Sequence, residues 1–135
     1  MTRAAGVLFW GYVIVLLVAG ATGVLVPEWE LSRIFGVQLD DMDQVLRATI
    51  LTQYRFLASV EFGFGLFSVV CRWEIFCVHK YNRIFLIALF GGVVARTLAL
   101  ALDGVPHWIF PMFLVLELTT GVLVLIASKK TLGPA

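Results

Sequence analysis

The sequence predicts an all-α fold: an integral membrane four-helix bundle with short loops and one outer amphipathic segment. Hydrophobic residues make up 61 % of the 135-residue chain and charged residues 14 %, against about 25 % charged residues in soluble domains. Apolar runs long enough to cross a hydrocarbon core about 30 Å thick occur four times. These runs occupy most of the chain, so we expect a single membrane domain over residues 1–135.

The predicted spans are Gly6–Val26, Ala48–Cys71, Ile84–Leu102 and Trp108–Ser128. The first span carries no charged residue, and its Gly20 and Gly23 predict close packing against a neighbouring helix. Arg3, an apolar stretch and the small residues 19–21 would also fit a cleavable signal peptide. Because the apolar run is long for a signal peptide, we expect this helix to be retained.

The outer amphipathic segment follows the first span and begins at Pro27. In it, Trp29 and Phe35 can lie in the headgroup layer while Glu28 and Glu30 face water. The segment either caps the outer mouth of the bundle or simply connects two spans, and the residues leave both readings open.

The second helix is expected to begin at an aspartate and to project beyond the bilayer. Asp40 or Asp41 is a natural N-cap. Asp43 and Arg47 lie four residues apart and can form a surface ion pair.

The third span carries small residues on one face and ends in a tight turn. Gly91, Ala95 and Ala99 recur every four residues, which permits close approach of another helix. The following turn combines Asp103, Gly104 and Pro106, each suited to an outer turn.

Basic residues favour one side of the predicted membrane. That side collects Arg3, Arg72, Lys80, Arg83, Lys129 and Lys130, whereas the other has Arg33 and Arg47. The positive-inside rule therefore predicts a multi-pass membrane protein with both termini in the cytoplasm. The formal charge of +1 excludes a nucleic-acid partner, since no basic surface exists to hold phosphates.

Four charged residues fall inside the predicted spans: Arg55, Glu61, Arg96 and Glu117. A charge at the centre of a bilayer costs about 2.5–3.5 kcal/mol on the insertion scale, so such residues face one another, a cavity or a ligand. At a rise of about 1.5 Å per residue their depths overlap. Arg96 and Glu117, on consecutive antiparallel helices, are the expected direct pair. The cluster either binds a ligand or only fixes the packing of the helices, and both interpretations stay open.

No catalytic or metal-binding constellation is recognisable, so we expect no enzyme activity and no cofactor. His79 and His107 fall on opposite sides of the membrane, and no HExxH, P-loop or GxSxG motif occurs. Cys71, Cys77 and His79 match no zinc-site spacing and lack a fourth ligand. In the reducing cytoplasm the two thiols are expected to stay reduced.

From Leu46 onward the chain resembles the bacterial four-helix membrane proteins described as domain of unknown function 4345, which are DoxX-like in style. The resemblance is carried by Leu46-Arg47-Ala48-Thr49, Tyr54-Arg55-Phe56-Leu57, Gly63-Phe64-Gly65, Gly91-Gly92, Ala95-Arg96, Asp103-Gly104-Val105-Pro106 and Glu117-Leu118. It implies a four-span fold in a bacterial inner membrane. It implies no reaction or substrate.

The function that follows as a hypothesis is a binding or accessory subunit, in which the charged cluster holds a lipid or quinone headgroup. A homo-oligomer or a membrane partner subunit is compatible with this role. The alternative is a small dimeric transporter that uses Glu61 or Glu117 as its proton- or substrate-coupling acid. Against it, the small multidrug transporters carry a buried acid in their first span, and the first span here is uncharged.

Overall fold

A computed structural model describes residues 3–132, which are helical and contain no strand. The helices are α1 (Arg3–Leu25), α2 (Pro27–Arg33), α3 (Gln44–Val70), α4 (Arg72–Cys77), α5 (His79–Leu102) and α6 (Ile109–Leu132). The all-α prediction is therefore confirmed over this range.

Three of the described helices, α1, α5 and α6, are long and apolar enough to cross a membrane. Helix α3 has 27 residues and is long enough as well. It is less apolar, because it carries Arg47, Arg55 and Glu61 among its hydrophobic residues. The pattern is that of a multi-pass membrane protein, and the fourth span stays a prediction.

The segment between the second and third predicted spans contains helices that the sequence interpretation treated as a loop. Helix α4 fills residues 72–77, and α5 begins at His79 rather than Ile84. Val78 between them is extended, and its backbone N–H donates to the Glu74 carbonyl. The Asn82 side chain donates to the Ile75 carbonyl at 2.8 Å, which ties the first turn of α5 to α4.

The described residues divide into two compact units. One unit holds residues 3–13 and 67–132, and the other holds Ile14–Leu66. Helices α1 and α3 therefore contribute residues to both units. We refer to them as the terminal unit and the central unit.

The core of the terminal unit is built on aromatic side chains. Phe9 contacts Phe76 and Phe85, with ring centroids 5.3 and 5.6 Å apart. On α5 the buried residues are Asn82, Phe85, Leu86 and Leu89, a helical repeat along one face. The opposing strip with Gly91, Ala95 and Ala99 is exposed instead, and a Cβ added at Gly91 meets nothing within 4 Å. The predicted close approach along that strip is therefore wrong within this chain.

In the central unit, α1 lies directly against the backbone of α3. A Cβ added at Gly20 would lie 2.6 Å from the Phe62 nitrogen and 2.8 Å from the Ala58 carbonyl oxygen. At Gly23 it would lie 2.6 Å from the Cβ of Ala58. The close packing predicted from these two glycines is confirmed. A second buried cluster in the same unit joins Leu31, Leu39 and Leu51.

Two loop predictions have different outcomes. Gly104 has a φ of +95°, as the turn between α5 and α6 requires, since only glycine adopts this conformation without strain. At the start of α3 the N-cap is Asp43, not Asp40 or Asp41, because its Oδ1 accepts the Val45 and Leu46 N–H groups. Arg47 pairs with Glu28 at 2.9 Å rather than with Asp43.

Candidate functional site

Arg96 of α5 and Glu117 of α6 form a side-on, two-point ion pair in the terminal unit. Arg96 Nε donates to Glu117 Oε2 at 3.0 Å, and Nη2 donates to Oε1 at 3.3 Å. This fork geometry is the strong form of a charge-assisted hydrogen bond. The direct pair expected from the sequence is therefore confirmed.

The pair forms because the turn at residues 103–106 folds α6 back along α5. Phe110, Phe113 and Glu117 recur at helical spacing on α6, so they share a face. The guanidinium carbon of Arg96 lies 6.0 Å from the ring centroid of Phe110 and 5.7 Å from that of Phe113. Aromatic rings at this distance attract the cation and shield the pair from other surroundings.

Gly92 provides space for the carboxylate. A Cβ at Gly92 would lie 3.5 Å from Glu117 Oε2, in van der Waals contact with it. The carboxylate occupies this space because Glu117 is the more buried partner of the pair.

The two partners differ in exposure. The Glu117 side chain is 8 % exposed and the Arg96 side chain 26 %. Arg96 uses Nε and Nη2 toward Glu117, and its Nη1 has no hydrogen-bond partner among the described residues. The arrangement can hold a guanidinium in one orientation and present its remaining donors outward.

Arg55 and Glu61 lie on α3 in the central unit. Arg55 is exposed, and the neighbouring Thr52 and Ser59 hydroxyls donate to carbonyls of their own helix. Glu61 is half-buried and interacts electrostatically with Tyr54. Among the four predicted site residues, the structure thus joins Arg96 with Glu117 in one unit and holds Arg55 and Glu61 in the other. Their action as one ligand-binding cluster stays a prediction.

Glu30 is a buried acid that the sequence interpretation missed. It was expected to face water, but it is only 3 % exposed. Pro27 starts α2 so that Pro27, Glu30 and Leu31 lie on its buried face. Glu30 and Leu31 follow Pro27 by three and four residues, which is the spacing of one helical face. This spacing could have predicted the buried face if the short segment had been treated as a helix.

The Glu30 carboxylate has polar neighbours on two other helices of the central unit. Thr22 Oγ1 lies 3.2 Å from Oε1, and Oε2 has no hydrogen-bond partner among the described residues. Burial raises the pKa of Glu30, while hydrogen bonding from Thr22 and Tyr54 lowers it to a smaller extent. Among the described residues, no group of three His, Cys, Asp or Glu side chains is arranged to hold a metal ion.

The family model for Domain of unknown function (DUF4345) matches residues 4–128. A search of curated proteins and a search of solved structures found no match. The match covers both the Arg96–Glu117 pair and the Glu30 site.

Proposed function

The chain belongs to the DUF4345 family, and we propose that it is a non-enzymatic binding or accessory subunit of the bacterial inner membrane. In this proposal Arg96 binds the polar head of a membrane amphiphile, a lipid or a quinone. Glu117 acts as the positioning residue that orients the guanidinium.

The observation that carries the proposal is that Glu117 engages only part of the Arg96 guanidinium. Two of its nitrogens are held by Glu117, while Nη1 is unbonded among the described residues and a quarter of the side chain is exposed. In a hydrocarbon environment an unpaired polar donor is costly. A ligand oxygen that accepts from Nη1 would remove this cost.

The charge of the pair selects the ligand chemistry. Because Glu117 already neutralises Arg96, a phosphate would meet a carboxylate of like charge. A neutral carbonyl oxygen accepts a hydrogen bond from Nη1 without that repulsion. The favoured ligand is therefore a carbonyl-bearing amphiphile, either a quinone or the ester region of a lipid, with its apolar part near Phe110 and Phe113.

The proposed topology has four spans with both termini in the cytoplasm. Three apolar helices support it, and α3 supplies the fourth span by length. Its polar residues then face other helices or a partner subunit rather than lipid. A reporter fused after Ala135 should be active only as a cytoplasmic reporter, and activity of a periplasmic reporter would contradict this topology.

The test of binding is native mass spectrometry of the protein extracted gently from its host membrane. We expect a stoichiometric small-molecule adduct whose mass identifies a quinone or a lipid. Arg96→Ala should lose it, and Arg96→Lys should weaken it because a single ammonium lacks the fork. Arg47→Ala, which removes an exposed arginine of α3, is the matched control and should keep the adduct. A bare wild-type chain, or an adduct retained by folded Arg96→Ala, would contradict the proposal.

A small dimeric transporter is the second candidate, favoured by the half-buried Glu61 of α3. In that case Glu61→Gln or Glu117→Gln would abolish pH-dependent transport in proteoliposomes. Unchanged flux in both variants would show that neither acid takes part in coupling.

A further inference from the structure

Glu30 is a buried carboxyl that takes part in no ion pair among the residues that the structure describes. It is 3 % exposed and lies on α2, next to Thr22 of α1 and Tyr54 of α3. The ion pairs of the described residues join Arg47 with Glu28 and Arg96 with Glu117, so neither includes Glu30. A buried carboxylate that has no counter-charge carries a large desolvation cost.

The single proton of the Thr22 hydroxyl has three acceptors within hydrogen-bond distance. Thr22 Oγ1 lies 2.9 Å from the Val18 carbonyl oxygen, 3.1 Å from that of Ala19 and 3.2 Å from Glu30 Oε1. A hydroxyl donates one proton and accepts through two lone pairs. The Glu30 carboxylate therefore shares the Thr22 proton with two backbone carbonyls, and its Oε2 has no hydrogen-bond partner among the described residues.

The charged groups on the helices around Glu30 do not pair with it in the ion pairs of the described residues. On α3, Tyr54 lies beside Glu30, and Glu61 interacts electrostatically with the same tyrosine. On α2, Glu28 is paired with Arg47 of α3, and Arg33 occupies the last turn of the helix. Arg47 is already engaged by Glu28, and the largest influence on the pKa of Glu30 is burial, which raises it.

The space at the site fits a proton rather than a metal cation. A Cβ added at Gly23 would lie 3.1 Å from Glu30 Oε2, so the carboxyl oxygen packs closely on the α1 backbone. Within residues 3–132, no set of acidic, His or Cys side chains converges to ligate a cation.

We infer that Glu30 is a proton-binding site, at which the protonated carboxyl holds α2 against α1 and α3 and deprotonation releases α2. The inference is independent of ligand binding at Arg96. It makes the position of α2, and the packing of Leu31 with Leu39 and Leu51, dependent on pH.

The first test is the pH dependence of thermal unfolding in detergent. A folded-state pKa above the unfolded value of about 4.3 means that the folded chain binds more protons in the interval between the two values. Stability is then full below the unfolded pKa and falls as pH rises toward the folded pKa. Glu30→Gln imitates the protonated carboxyl, so it should remove this fall and have a higher Tm than wild type at neutral pH.

Glu28→Gln is the matched control, because it removes one exposed carboxylate from the same helix. It should keep the pH dependence of the wild type. A Glu30→Gln variant that keeps the wild-type dependence, or that has a lower Tm at neutral pH, would overturn the inference.

The second test follows the release of α2 directly and does not depend on how Glu30→Gln folds. A chain with Cys71→Ala and Cys77→Ser receives either Leu31→Cys, at a buried position, or Ser32→Cys, at an exposed one. Titration of the thiol changes both maleimide labelling rates, so its effect cancels when the rate in the Leu31→Cys chain is divided by the rate in the Ser32→Cys chain. Between the unfolded pKa and the folded pKa of Glu30 this ratio should rise by up to about tenfold per pH unit, and it should level off above the folded pKa. A ratio that does not change with pH would overturn the inference.

Discussion

Two buried glutamates in this chain are stabilised in opposite ways. As whole residues, Glu117 in the terminal unit and Glu30 in the central unit are 6 % and 3 % exposed. Glu117 has a two-point arginine partner, whereas Glu30 has a threonine hydroxyl and a tyrosine as neighbours and is in neither ion pair of residues 3–132. A buried acid can be stabilised by an opposite charge or by a proton. The first solution orients a binding group, and the second makes the structure sensitive to pH.

The largest effect is expected at Gly20, where α1 lies against the backbone of α3 in the central unit. Gly20→Ala places a Cβ 2.6 Å from a backbone nitrogen, and a backbone cannot move aside as a flexible side chain can. We expect a loss of about 3 kcal/mol in the free energy of unfolding, measured by denaturant titration in mixed micelles. Gly11→Ala, where an added Cβ meets nothing within 4 Å, should stay close to wild type. Equal effects of the two substitutions would mean that α1 and α3 do not approach so closely.

The next effect is the coupling between Arg96 and Glu117. Removing either partner by substitution with alanine should cost about 1.5–3 kcal/mol, the range for hydrogen bonds to charged groups. Each single variant leaves the other charge unpaired, so the double variant should lose less than the sum of the two. A double-mutant cycle of unfolding free energies measures this difference. Strict additivity would show that the two residues do not interact.

A smaller effect is expected from the hydroxyl of Thr22. Thr22→Val removes the polar neighbour of Glu30 Oε1 while nearly keeping the shape, and should cost about 1 kcal/mol. Thr97→Val is the control, since that exposed hydroxyl donates to a carbonyl of its own helix. We expect Thr22→Val to steepen the pH dependence of Tm as well, because a donor that lowers the pKa of Glu30 is lost. If the dependence of Tm on pH is identical in Thr22→Val and Thr97→Val, Thr22 does not influence the protonation of Glu30.

The smallest effect is expected from the exposed pair of Glu28 and Arg47. Its side chains are 53 % and 38 % exposed, and surface pairs contribute about 0.2–1 kcal/mol. High salt should abolish this coupling and leave that of Arg96 and Glu117 nearly unchanged, since buried pairs are screened less. Two cycles measured at low and high salt would check this contrast. Equal salt dependence would mean that the Arg96 pair is as hydrated as the surface pair.

Much of the chain could be predicted from the sequence because its signals are local. Hydropathy and length predict α1, α5 and α6 as apolar helices. Gly20 and Gly23 indicated a close helix contact, and the aspartate–glycine turn after α5 indicated where the chain reverses. The Arg96–Glu117 pair followed from helical rise and an antiparallel turn. Each of these inferences needs only a few adjacent residues or two consecutive helices.

The errors concern faces and partners, which depend on distant residues. Glu30 lies in a segment too short for a clear periodicity, so its charge suggested exposure. Gly91, Ala95 and Ala99 have the spacing of a packing face. The aromatic core of the terminal unit instead buries the face of α5 that carries Phe85 and Leu89. Arg47 found Glu28 rather than Asp43 because Asp43 caps α3.

The sequence by itself determined the helical class, the apolar helices, the outer turn and the presence of charges in an apolar chain. Each of these properties comes from hydrophobicity, helical period or the conformational freedom of glycine, and these are local. The tertiary structure decided which charges are paired and which buried acid has no ion-pair partner within the described part of the chain. Those outcomes depend on what the other helices bring within about 3–4 Å of a side chain, the range of a hydrogen bond or ion pair.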